Sequence, residues 1–167
     1  MNWEAIGAVG EILGALAVVI SLGYVAVQIR QNTEVTKDLA GQNLTTANSE
    51  INYLIASNDD LAKILYEGTK DRDSLTEHEQ LRFNTLLFAV YNQFDFAYRR
   101  HREGKLEDAS WKKIKYEIPV YLHLPGWLSW WHQDKIRFSA EFVAFVDKEL
   151  SEFQPPSSIP TMPYKSG

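Results

Sequence analysis

The 167-residue sequence contains no cysteine and little that is typical of an enzyme. Without thiols, a disulfide framework, a thiolate zinc site and a cysteine nucleophile are all excluded. The chain has 17 Lys and Arg residues against 22 Asp and Glu residues, for a net charge of -5. It therefore lacks the basic character of proteins that bind nucleic acid. No P-loop, G-x-G-x-x-G or G-x-S-x-G motif is present. We expect a non-enzymatic protein that needs no cofactor or metal and does not bind nucleic acid.

Histidine is also scarce, and its spacing does not indicate a metal site. The four histidines are His78, His101, His123 and His132. No pair is spaced by four residues, and no H-E-x-x-H motif occurs. His123 and His132 flank a Trp-rich turn, where Glu117 or Asp134 could join them in one pocket. An enzyme that uses these groups is one alternative hypothesis.

What the sequence does contain is a long apolar run over residues 3–30, WEAIGAVGEILGALAVVISLGYVAVQIR. Residues 12–29 carry no charge, and as a helix they span about 27 Å, close to the ~30 Å hydrocarbon core of a bilayer. We predict a membrane-spanning helix with Glu11 at the headgroup boundary. The alternative register, residues 6–24, puts Glu11 inside the membrane at a cost of about 2.5–3.5 kcal/mol. The first register is therefore favoured.

Two other interpretations of this run are weaker. A signal peptide needs a basic N-terminal region and a small-residue cleavage site. The only charged side chain in residues 1–4 is that of Glu4, which is acidic, and residues 26–30 contain no A-x-A-like site. A buried helix of a soluble protein is also possible, but 18 consecutive uncharged residues favour a membrane span. Arg30 and Lys37 follow the span, so the positive-inside rule predicts an N-terminus outside and a cytoplasmic C-terminal domain.

Small residues recur along one face of the predicted span. They are Gly7, Gly10, Gly14, Ala17 and Ser21, at steps of 3, 4, 3 and 4. Gly10 and Gly14 form a G-x-x-x-G motif, which lets a second helix approach closely. The partner would be a second copy or a helix of another membrane protein. Glycine is also common in membrane helices without such a role, but the regular spacing favours association.

Two acidic residues lie beside this small-residue face. Glu4 and Glu11 point roughly 80–100° from its centre, at ~100° per residue. They flank the face and do not interrupt it. An alternative function follows: the helix would be one of several that surround an ion pathway, with Glu4 and Glu11 at its mouth.

The rest of the chain predicts an all-α protein. We expect residues 1–31 to form the membrane helix and residues 32–57 a polar, stalk-like helix that can continue it. Residues 58–153 would form a bundle of four to five helices, and the Pro-rich residues 154–167 an extended or disordered tail. The expected bundle helices cover residues 61–66, 76–103, 106 to about 115, 127–138 and 139–153. Thr76 and Glu79 form a capping box and Ser139 is an expected N-cap, while Gly68 and Gly104 are expected stops and Pro119 a kink or a new start.

Two clusters in the bundle have more than one interpretation. Arg99, Arg100 and Arg102 fall in the last turn of a helix, where cations complement the helix dipole. With Lys112 and Lys113 they could instead contact anionic lipid headgroups. Trp127, Trp130 and Trp131 share one helical side, either in the core or on an exposed aromatic surface.

The whole pattern resembles a family of uncharacterised bacterial small single-pass membrane proteins. The resemblance rests on the N-terminal helix and on four later segments, LTEHEQLRF, FAYRRHREGKLEDASWKKIK, PGWLSWW and FSAEFVAFVD, and covers most of residues 3–147. It implies a protein of the bacterial inner membrane with a helical cytoplasmic domain, and it carries over no activity or catalytic residue. We expect a scaffold or accessory subunit of a membrane assembly.

Overall fold

The computed structural model describes the backbone of residues 3–154, and the side chains of residues 10, 11 and 13–154. This part of the chain is helical and contains no strand, which confirms the all-α class. The predicted tail lies outside it, apart from Gln154. The α-helices are α1 (Trp3–Ala56), α2 (Asp59–Lys70), α3 (Glu77–Arg102), α4 (Asp108–Leu122), α5 (Pro125–Asp134) and α6 (Ala140–Glu152), with 3₁₀ turns at Arg72–Ser74 and Lys135–Arg137.

Helix α1 is a single element of 54 residues, about 81 Å long. The polar segment after the apolar run does not interrupt it, and two of its threonine hydroxyls bond back to carbonyls of the same helix. Thr33 Oγ1 donates to the Ile29 carbonyl at 2.9 Å, and Thr36 Oγ1 donates to the Asn32 carbonyl at 2.7 Å. The apolar half and the polar half of α1 are thus one continuous rod.

The second half of α1 packs against the bundle. Ala40 is 4% exposed and lies in a small cluster with Ala97, Leu106 and Trp111. The main core is formed by α2 to α6, and its fully buried side chains are Phe83, Leu87, Tyr91, Ile118, Leu122, Trp130, Trp131, Phe142 and Val146. Trp127 belongs to this core as well. The three tryptophans are therefore core residues and do not form an exposed aromatic surface.

Helices α2 and α5 cross at two glycines. A Cβ atom added to Gly126 would lie 1.7 Å from the carbonyl oxygen of Gly68. Next to this contact, the Trp127 indole N–H donates to Thr69 Oγ1 at 3.1 Å. The expectation that Gly68 ends its helix is wrong, since α2 continues to Lys70. Gly126 allows the close approach of α5 to α2, and at Gly68 a Cβ would lie 2.6 Å from Phe83 Cδ2 and 2.8 Å from Leu75 Cδ1.

Helix boundaries elsewhere follow local chemistry. The capping box of Thr76 and Glu79 is present, Ser139 caps α6, and Gly104 has the positive φ of +69° expected after α3. Pro119 lies inside α4, which continues past it to Leu122, so it does not start a new helix. Pro125 opens α5 instead, in the first-turn position where a missing N–H costs nothing.

Candidate functional site

The apolar half of α1 stands free of the bundle. Its large side chains are exposed by 47% at Val25 to 71% at Ile20. The part of the chain that the structure describes contains one helix long and apolar enough to cross a membrane, and its most apolar window buries nothing against the protein. An uninterrupted apolar surface of this kind needs an apolar environment or partner.

The small-residue face is uncovered along this half. A Cβ added to Gly10 or Gly14 would meet no atom within 4 Å. Ser21 Oγ donates to the Ala17 carbonyl at 2.8 Å, so this hydroxyl is satisfied inside the helix. Glu11 is exposed. Gly7 and Glu4 lie on the backbone of α1, outside the residues whose side chains are described.

The cationic residues lie at the end of the bundle nearest the apolar half of α1. This follows because Ala97 of α3 and Trp111 of α4 pack on Ala40, which is about 15 Å of helix beyond Arg30. His101 stacks on Trp111, with ring centroids 4.9 Å apart. The expected lipid-contact residues thus lie toward the end of the bundle that is closest to the candidate membrane span.

The expected patch is not a group of free cations, however. Arg99 pairs with Asp95 at 3.5 Å, Arg100 pairs with Glu103 at 3.4 Å, and Arg102 pairs with Glu141. Lys112 and Lys113 are exposed and make no ion pair with any described residue. The three arginines therefore complement local acids, and the two lysines are left to face solvent.

The structure places both histidines of the enzyme hypothesis at the surface. His123 and His132 are both exposed. The His123 ring lies 6.2 Å from that of Phe153, while Asp134 pairs with Arg137 at 3.4 Å. Among the described residues, no group of three or more His, Asp or Glu side chains could hold a metal ion.

A groove that the sequence did not predict lies between the second half of α1 and helices α2 to α5. Its volume is about 420 Å³. The apolar side chains that line it are Leu44, Ile51, Ile55, Leu65, Val90, Phe94, Ile114, Leu124 and Trp127, and polar groups include Gln93, Lys113, Glu117 and Tyr121. On each helix these residues are spaced like those of any apolar helix face. No local motif therefore indicates that residues from several helices line one groove.

Asp95 on α3 is a half-buried carboxylate with an unsatisfied oxygen. Its Oδ1 is buried and finds no hydrogen-bond partner among the described residues. Burial raises the pKa of Asp95, and the nearby Arg99 only partly opposes this shift. Because the folded pKa is raised, ionisation of Asp95 opposes folding, and the penalty grows as pH rises from the ordinary carboxyl range through the folded pKa.

Replacing Asp95 with asparagine is therefore expected to stabilise the protein at pH 7, by on the order of 1 kcal/mol. Urea unfolding at pH 7 and pH 4 would measure this. The gain should be smaller at pH 4 than at pH 7, because more of the wild-type carboxyl is protonated in the folded state as the pH falls. A loss of stability at pH 7 would show that the pair with Arg99 outweighs the burial of the charge.

Comparison with protein-family models, curated proteins and solved structures finds no match to this chain.

Proposed function

We propose that this chain is a single-pass protein of the bacterial inner membrane and a non-enzymatic scaffold or accessory subunit of a membrane assembly. The first half of α1 would cross the bilayer, with the N-terminus outside and the bundle in the cytoplasm. One observation carries the proposal: the apolar half of α1 makes no buried contact with the rest of the described chain.

The length and charge of α1 support this placement. The uncharged stretch matches the thickness of the hydrocarbon core. Arg30 and Lys37 follow on the proposed cytoplasmic side, where the positive-inside rule expects cations. The polar half of α1 then holds the bundle beneath the membrane surface.

The small-residue face supports association through the spanning segment. Gly10 and Gly14 expose backbone on which a second helix can pack closely. Packing of this kind does not depend on the hydrophobic effect, which is absent between helices in lipid. We propose that a second copy, or a helix of another membrane protein, occupies this face.

The test replaces Gly10 and Gly14 together with isoleucine. Gly23 is the matched control, since it is also exposed without neighbours but lies roughly 160° from the centre of the small-residue face. Because the chain has no cysteine, a Ser151→Cys substitution at this exposed position provides a single site for a thiol-reactive fluorescent label. Energy transfer between labelled chains in vesicles measures their apparent affinity for each other. This affinity should fall by about tenfold or more in the double variant and should be unchanged in Gly23→Ile.

Equal energy transfer in wild type and in both variants would remove the small-residue face from the proposal. Loss of transfer in Gly23→Ile alone would place the contact on the other side of the helix. Release of the wild-type chain from membranes by alkaline carbonate would contradict the spanning helix itself.

A further inference from the structure

We propose that the groove between α1 and the bundle binds a hydrophobic organic cation, a molecule with an amine or quaternary ammonium group on an apolar body. This site is separate from the membrane segment and does not depend on the function proposed for that segment.

The size and walls of the groove suit a small apolar body. About 420 Å³ falls within the range of ligand pockets in proteins, about 300–1,000 Å³. Leu44, Ile51 and Ile55 form one wall from α1, and Val90 and Ile114 lie on the side of the bundle. An apolar molecule that entered the groove would cover these side chains from water.

Three aromatic rings lie together at the groove. The Tyr121 ring stacks on Trp127 with centroids 4.7 Å apart, and on Phe94 with centroids 6.2 Å apart. All three residues line the groove. Trp127 and Phe94 are buried core residues, so the half-buried Tyr121 is the ring that a molecule in the groove can contact. Aromatic rings attract cations, and the attraction reaches about 2 kcal/mol where water is excluded.

Glu117 supplies the charge complementary to a cation. It lines the groove, is half-buried, and makes no hydrogen bond or ion pair with any described residue. It lies one turn before Tyr121 on α4. Burial raises the pKa of Tyr121, and the charge of Glu117 raises it further. An unpaired carboxylate beside stacked rings is the combination that recognises an organic ammonium group.

Lys113 is the one cation among the residues that line the groove, all of which the structure describes. It is exposed, whereas Glu117 is half-buried, and no ion pair joins them. Its charge lies in water and is strongly screened. The less exposed of the two charges that line the groove is therefore the negative one, which favours a cationic ligand over an anionic one.

The test uses benzyltrimethylammonium, with benzyl alcohol and phenylacetate as neutral and anionic counterparts. Calorimetric titration of the full chain in lipid nanodiscs, against empty nanodiscs, should show a dissociation constant of about 1 mM or below for the ammonium compound. Phenylacetate should bind at least about tenfold more weakly. Absence of binding by benzyltrimethylammonium, or equal binding of phenylacetate, would overturn the proposal.

Two variants separate the charge from the rings. Glu117→Gln removes the charge without breaking any contact in the described structure, and Tyr121→Leu removes a ring while keeping the wall apolar. Each should weaken binding of the ammonium compound by about tenfold. Glu50→Gln is the matched control, because Glu50 is exposed on α1 outside the groove, and it should bind as wild type does. Wild-type affinity in Glu117→Gln would contradict the proposed charge recognition.

Discussion

Alanine at Gly126 is expected to destabilise the bundle by about 3 kcal/mol or more. The added Cβ would lie 1.7 Å from the Gly68 carbonyl oxygen, 2.8 Å from the Gly68 carbonyl carbon and 3.2 Å from the Thr69 carbonyl oxygen. All three atoms belong to the backbone of α2 and cannot rotate away. Helices α2 and α5 would have to separate, which would also strain the hydrogen bond from Trp127 to Thr69.

Urea unfolding of the full chain in detergent, followed by near-ultraviolet circular dichroism, measures this effect. Near-ultraviolet signals report on the buried tryptophans, whereas the far-ultraviolet signal is dominated by helix content, to which the long α1 contributes heavily. Gly41→Ala is the matched control, since a Cβ there meets no atom within 4 Å, and alanine should raise helix stability by about 0.5–1 kcal/mol. A loss below about 1 kcal/mol for Gly126→Ala would mean that the two helices do not touch as described.

Phenylalanine at Trp131 is expected to cost about 1–3 kcal/mol more than phenylalanine at Trp130. Both tryptophans are fully buried, so both substitutions remove the same atoms from a packed core. The Trp131 indole N–H donates to Asp147 Oδ1 at 2.9 Å, whereas the Trp130 indole N–H has no partner among the described residues. Only the first substitution therefore removes a hydrogen bond to a charged group.

The pH dependence of this pair provides a second check. Burial raises the pKa of Asp147, but hydrogen bonds from Lys135 and Trp131 outweigh it and lower the pKa below its usual value. A lowered folded pKa contributes stability above the ordinary carboxyl range, and that stability is lost as pH falls through the folded pKa. The extra cost of Trp131→Phe should therefore be larger at pH 7 than at pH 3. Equal costs for the two variants at pH 7 would show that the bond to Asp147 contributes nothing.

The features that the sequence predicted well are those governed by local chemistry. The pairing of Thr76 with Glu79, the cap at Ser139 and the left-handed Gly104 each depend on a few consecutive residues. The all-α class follows from helical periodicity in the same way. The apolar half of α1 could be recognised as an uncharged run, because this property depends on consecutive residues and not on contacts with the rest of the chain.

The features that it missed depend on contacts between distant segments. Gly68 has the local appearance of a helix stop. A Cβ there would lie 2.6 Å from Phe83 Cδ2 and 2.8 Å from Leu75 Cδ1, and these distant segments are what exclude a side chain. The groove joins residues from α1 to α5 and the loop before α5, and Glu117 is unremarkable until Tyr121 and Trp127 are placed beside it. Pro119 was expected to kink its helix or to start a new one. It starts no new helix, and the buried packing of Ile118 and Leu122 around it favours continuation.

The unbroken length of α1 also sets the direction in which the bundle points. Ala40 faces the bundle, and at ~100° per residue it lies roughly 100° around the axis from the centre of the small-residue face. No hinge separates the two, so a turn of the apolar half about its axis swings the bundle through the same angle. If two parallel copies met through that face, each bundle would lie beside the contact rather than in it. The space between the polar halves of the two α1 helices would then stay open.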